Sequence, residues 1–160
     1  MRRSNLTSAN LFSLRRAFLQ MAIQTDNLRH SIENVANLAA VVTDDARMAQ
    51  LTEIERTGLR AGVIKNFEIT YELSWKMMQR WVREAGVADD RLPQTRHDLF
   101  RQAARNGLVA DAERWIEHHR HRNSSAHEYD EAIANFVAAA IQRFVDDARD
   151  LVARIERPTH

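Results

Sequence analysis

The stretch Arg120 to Ala132 reads RHRNSSAHEYDEA and places Arg122, Asn123, His127 and Tyr129 within eight residues. A histidine that titrates near neutrality can move a proton, and an arginine can brace an anionic phosphorane. Cleavage of RNA asks for little more, because its own 2′-hydroxyl is the nucleophile and no metal is required. The same residues have a plainer use. Cations are favoured at a helix C-terminus by the helix dipole, and that alone accounts for His118, His119, Arg120, His121 and Arg122. His119 lies one turn before Arg122 and Asn123, so all three can share a helix face, and Trp115 aims that face inward.

A second polar constellation is KNFEITYELSWK, Lys65 to Lys76. Glu68, Glu72 and Lys76 fall at i, i+4 and i+8 on one strip of a helix. The Glu72–Lys76 order is the favourable one, worth a few tenths of a kcal/mol. A solvated strip is one reading; the other follows from Phe67, Tyr71 and Trp75 on the same helix, which put the carboxylates at the margin of a core. Metal chemistry fits less well. His119, His121 and His127 lack matching carboxylates at ligand spacing, and His118 and His119 point to different faces. The chain carries no Gly-rich phosphate loop, G-x-S-x-G elbow or HExxH, so neither metal nor cofactor is expected.

The elements that must position these residues follow from periodicity. Leu11, Leu14, Phe18, Met21, Thr25, Leu28, Ile32, Val35, Ala39 and Val42 step by threes and fours, the stripe of a long helix. Thr43-Asp44-Asp45 predicts a break and a new N-cap. A second helix follows, divided near Thr57-Gly58, with Ile64, Phe67, Tyr71, Trp75, Met78 and Val82 inward and Gly86 at its end. Thr95 caps a short helix that runs to Asn106-Gly107. A further helix spans about 110–124 with Trp115, Ile116 and His119 inside. Asp130 caps the last, which buries Ile133, Val137, Ala140, Ile141, Phe144, Ala148, Leu151 and Ile155. Core packing explains these stripes, their Met and Trp residues included. The expectation is an all-α chain: an antiparallel up-down four-helix bundle with an additional short helix. Residues 1–160 form one domain, with 1–50 its N-terminal long helix and 51–157 the motif-bearing part.

Bulk composition narrows the setting. A net charge of +1 argues neither for nor against a nucleic-acid partner, and the basic residues concentrate in RWIEHHRHR, 114–122. There is no cysteine, which excludes disulfides and thiolate metal sites and fits a reducing cytoplasm. No apolar run approaches the roughly 18 residues of a membrane span. The opening MRRSNLTSAN has charge but no apolar core, so no signal peptide is expected.

The string RNSSAHEY, Arg122 to Tyr129, resembles the R-x4-H-x-Y motif of HEPN domains. FEITYELSWK, Phe67 to Lys76, is similar to the FE-x2-YEL-x-WK helix of one HEPN branch, often labelled nucleotidyltransferase substrate-binding proteins. Ala103 to Val109, Trp115 to Asn123 and Tyr129 to Glu131 extend the likeness in order, over about 60–155. Asn66 stands where an arginine is expected before the Phe-Glu pair. The resemblance implies a helical homodimer in which Arg122 and His127 of both subunits meet across a cleft. It implies a metal-independent ribonuclease toxin neutralised by a minimal nucleotidyltransferase, in some systems by attachment of AMP to the motif tyrosine. Carried over, Arg122 stabilises the transition state, His127 is the general acid or base and Asn123 orients the site. Tyr129 is the modification target or an RNA contact, and Glu68, Tyr71 and Glu72 support from beneath.

The leading expectation is therefore a cytoplasmic ribonuclease toxin. One rival is a non-catalytic subunit of a two-component nucleotidyltransferase whose cleft holds substrate or nucleotide. Another is a structural antitoxin or scaffold, with the heptad-like helices Leu11 to Val42 and Ile133 to Ile155 as its dimer seam.

Overall fold

A computed structural model describes residues 24–84, 92–124, 132 and 135–157. Every regular element among them is helical: α1 (Asp26–Val42), α2 (Asp45–Ala49), α3 (Glu53–Glu84), α4 (Arg96–Arg105), α5 (Ala112–Ser124), a π-helical turn (Val137–Ile141) and α6 (Gln142–Glu156). None is long and apolar enough to cross a membrane.

Local chemistry sets the boundaries. Leu28, Ile32, Val35, Ala39 and Val42 of α1 are buried at the expected spacing; the earlier members of that stripe, Leu11 to Met21, lie outside the described residues. Asp44 accepts from the Arg47 amide at 3.0 Å and starts α2. The break expected at Thr57-Gly58 falls earlier. Thr52 and Glu55 form a reciprocal capping box, with Thr52 N donating to Glu55 Oε2 at 2.7 Å and Glu55 N to Thr52 Oγ1 at 3.4 Å. That box launches α3 at Glu53, and the helix then runs unbroken through Gly58, since one glycine costs only about 1 kcal/mol in a helix this long. Thr95 caps α4 as expected, accepting from Asp98 N at 3.1 Å. Gly86 and Asp130, the other expected boundaries, and Ile133 lie outside the described residues.

α4 ends in a Schellman turn: Leu108 N donates to Ala103 O at 2.9 Å and Gly107 N to Ala104 O at 3.0 Å. Gly107 has φ +71°, in the left-handed region. Gly107→Ala is expected to cost about 1–2 kcal/mol, read as a lower midpoint in urea unfolding.

α1 packs against α3 and α6, and α4 against α3 and α5. α1 and α6 run antiparallel, with Arg29 paired to Glu156 and Glu33 to Arg149. α5 and α6 are antiparallel too, with Arg114 on Asp147 and Glu117 on Arg143. Inside, Phe144 meets Phe67 edge-to-face at 5.0 Å and Trp115 at 6.0 Å. A buried Ser31–Thr70 hydrogen bond of 2.6 Å ties α1 to α3.

The inner face of α5 differs from expectation by one residue. His118, not His119, is buried beside Trp115 and Ile116, at 1% exposure. Steps of three and four from Trp115 permit either. The choice is made by α6, where Asp147 Oδ2 lies 2.6 Å from His118 Nε2 and gives a buried polar ring its partner. His119 is thereby turned toward α3.

Candidate functional site

Five of the residues singled out by sequence come together where α5 crosses α3. Tyr71 and Glu72 project from the middle of α3, and His119, Arg122 and Asn123 from the last turns of α5. The Tyr71 hydroxyl lies 2.8 Å from His119 Nδ1, and the two rings stack with centroids 5.8 Å apart. The Asn123 amide lies 3.3 Å from His119 Nε2. Arg122 Nε is 3.4 Å from Glu72 Oε1, and Arg122 Nη1 is 3.5 Å from Asn123 Oδ1. Glu68, the other carboxylate of the strip, pairs with Lys65 one turn earlier at 3.7 Å. His127 and Tyr129 lie outside the described residues.

Three contributors were not anticipated. Arg96, the first residue of α4, donates to Glu72 Oε1 at 3.3 Å and to the Tyr71 hydroxyl at 3.4 Å. Its guanidinium lies 4.4 Å from the Trp75 ring centroid. Trp75, read from periodicity as core, is instead half-buried at the rim, where its indole donates to Glu72 Oε2 at 2.7 Å. His97 sets its ring edge-on to His119, with centroids 5.9 Å apart. One sequence signal could have flagged the pair: Arg96-His97 puts two potential cations at a helix N-terminus, where the dipole disfavours them. Such a placement asks for an anion nearby, and Glu72 is that anion.

The electrostatics are consistent around this group. Burial works to raise the Glu72 carboxyl, but the Trp75 hydrogen bond and the Arg96 and Arg122 charges outweigh it and hold the carboxyl below the usual range. Burial pushes the Tyr71 hydroxyl up to about 12, against the pull of Arg96, so Tyr71 stays a neutral phenol. His119 is lowered, first by burial and then by Arg96, His97 and Arg122, with Glu72 opposing. At neutral pH the site therefore holds a neutral imidazole, a neutral phenol, one carboxylate and two guanidinium groups, able to stabilise negative charge and accept a proton. Among the described residues no group of three His, Asp or Glu is placed to hold a metal ion.

The depressed His119 value fixes a pH dependence. Above its ordinary 6.5 the ring is neutral folded or unfolded. Below that the unfolded chain takes up the proton more readily, so stability falls with pH until the folded site also protonates. The melting temperature is expected to drop between pH 7 and 5.5, and to drop less in His119→Gln.

Comparison with known proteins adds three findings. A family model described as "Nucleotidyltransferase substrate binding protein like" matches residues 11–157. A Haemophilus influenzae protein named "Probable ribonuclease HepT" is 35% identical over 100 residues, which are 62% of this chain and 68% of that protein. A solved Haemophilus influenzae structure, described as revealing the fold of a substrate-binding domain of a nucleotidyltransferase, aligns with a TM-score of 0.73 and 28% identity over 84% of this chain and 100% of that one.

Proposed function

The chain belongs to the nucleotidyltransferase substrate-binding protein-like family, and from that premise we propose that it is an RNA-cleaving HEPN toxin restrained by a minimal nucleotidyltransferase. The observation that carries this reading is the placement of Arg122. Its guanidinium is held against Glu72 beside His119 and Asn123, not spread into solvent as a simple helix-end cation would be. The relative named as a ribonuclease supports the same reading.

In this proposal two copies face each other, so that each cleft carries Arg122 and His127. His127 takes the proton of a ribose 2′-hydroxyl, and the 2′-oxygen forms a bond to the adjacent phosphorus. The P–O5′ bond breaks, and the departing 5′-oxygen receives a proton from an imidazolium of the paired site. The products are a 2′,3′-cyclic phosphate and a 5′-hydroxyl. Arg122 stabilises the phosphorane, Asn123 and His119 hold its surroundings, and the Tyr129 hydroxyl attacks the α-phosphorus of an ATP held by the partner, losing its proton as pyrophosphate leaves and AMP stays on the ring oxygen.

Inducible expression tests this. Wild type is expected to arrest growth and leave cyclic-phosphate RNA ends, and Arg122→Ala/His127→Ala to do neither. Equal growth with both would overturn the nuclease. A second reading is favoured by the family description and by the solved relative described as a substrate-binding domain of a nucleotidyltransferase. There the chain would be the substrate-binding subunit of a nucleotidyltransferase, and the purified chain would bind nucleotide, leave RNA intact and act only with its partner.

A further inference from the structure

Beside the Glu72 cluster, between the C-terminal half of α3 and the entry to α4, lies an open pocket of about 400 Å³. Trp75, Gln79 and Arg83 line it from α3, and Pro93, Gln94 and Arg96 from the other side; Leu99, buried at 3% exposure, closes the floor. Among the described lining residues two are arginines and none is a carboxylate, so this wall of the pocket suits an anion. Trp75, Leu92, Pro93 and Leu99 add apolar wall beside those polar groups, and the Arg96 guanidinium lies 4.4 Å from the Trp75 ring centroid, an aromatic and cationic platform. The Gln79 and Gln94 amides offer donors and acceptors at the rim. A part-apolar wall, an aromatic ring with a guanidinium over it, amide edges and cations together match one chemical class, a nucleotide: a heteroaromatic ring joined to a phosphate. The volume lies in the range of small-ligand sites, and a base can lie against a side-chain platform only when it is splayed out of a helix.

The pocket adjoins the proposed reaction centre. Arg96 and Arg122 approach the same oxygen of Glu72, at 3.3 and 3.4 Å. A chain whose base entered the pocket would thus carry its backbone past Glu72 to Arg122.

We propose that this pocket seats one unpaired nucleotide of an RNA strand, its base against the Arg96–Trp75 platform and its backbone leading to Arg122. This rests on the RNA-cleaving reading of the site. It adds a selection rule: the strand must be single at that position, and the pocket reads the nucleotide next to the scissile phosphate.

A free nucleotide shares this chemistry, so the test separates the two sources. A labelled single-stranded 2′-O-methyl RNA hexamer, which has no attacking 2′-hydroxyl, is titrated against the full chain by fluorescence anisotropy. Gln79 is exposed on α3, so Gln79→Trp fills the pocket from its solvent side. Arg83→Ala is the second variant, and Arg149→Ala, on the α1–α6 face, is the control. Far-UV circular dichroism and melting curves check that each variant folds.

Hexamer affinity is expected to fall at least tenfold in Gln79→Trp and severalfold in Arg83→Ala, and to be unchanged in Arg149→Ala. The same strand in a duplex is expected to bind at least tenfold more weakly. No binding, or equal binding by wild type and both pocket variants, overturns the proposal. AMP or UMP binding as tightly as the hexamer, with the same loss in Gln79→Trp, also overturns it, in favour of a free nucleotide. Because the probe cannot be cut, the nuclease reading fails separately, by an absence of cyclic-phosphate ends in cells.

Discussion

Replacing Arg122 with alanine is expected to lower RNA cleavage about 10²–10³-fold, the loss typical when a donor to a developing oxyanion is removed, with little change in melting temperature. The two halves of this expectation have separate grounds. Arg122 and Glu72 side chains are 37% and 27% exposed, so their ion pair adds no more than about 1 kcal/mol to stability. Glu72 also keeps Arg96 and Trp75 as partners, so no buried charge is abandoned. The loss therefore falls on the charge that develops at phosphorus. Arg122→Lys keeps a cation but not the planar fork, and is expected to recover only part of the rate. Single-turnover cleavage of a defined RNA, beside a thermal melt, checks both halves. A large fall in melting temperature, or a rate within severalfold of wild type, would count against the assignment.

Phe144→Ala is expected to do the opposite, costing about 3–5 kcal/mol of stability and lowering the melting temperature by roughly 6–20 °C. Phe144 is fully buried. Its ring meets Phe67 of α3 at 5.0 Å, Trp115 of α5 at 6.0 Å and His118 at 5.3 Å, so one side chain joins three helices. Its loss leaves a cavity beneath the turn of α5 that carries His119 and Arg122. Calorimetry measures the first effect. Activity should follow the folded fraction and recover at low temperature, as that of Arg122→Ala should not. A purely structural scaffold would tolerate Arg122→Ala in every assay and fail only here.

How much of this was legible in the sequence depends on the kind of signal each residue leaves. Helix stripes repeat, so Leu28 to Val42 and Phe144 to Ile155 were readable as inner faces, and the buried residues of α1 and α6 bear this out. Tyr71, Glu72, His119, Arg122 and Asn123 were readable as polar residues on or beside apolar faces, and the fold gathers them. Arg96 left only an indirect mark, a cation at a helix N-terminus, which does not say that its partner is a carboxylate 24 positions earlier. Trp75 was misplaced for a geometric reason. Steps of three and four from Tyr71 permit either Ser74 or Trp75 on the inner face; Ser74 takes that place, fully buried, and Met78 and Val82 carry the stripe on in the core. The His118/His119 choice lay beyond any periodic rule, since it is decided by Asp147 on another helix.

The π-helical turn at Val137–Ile141 has a consequence for how this chain can change. Such a turn fits one residue more than an α-helical path would, and each residue advances a helix by about 100°. Around it Val137, Ile141 and Phe144 are buried and Phe136 meets Phe67 and His121. At this place residue number matters more than residue identity. Ala138 and Ala139 are exposed and open to many substitutions, yet deleting either would turn everything before them by more than a quarter of a circle. In a population of variants the segment should accept spelling changes and reject changes of length.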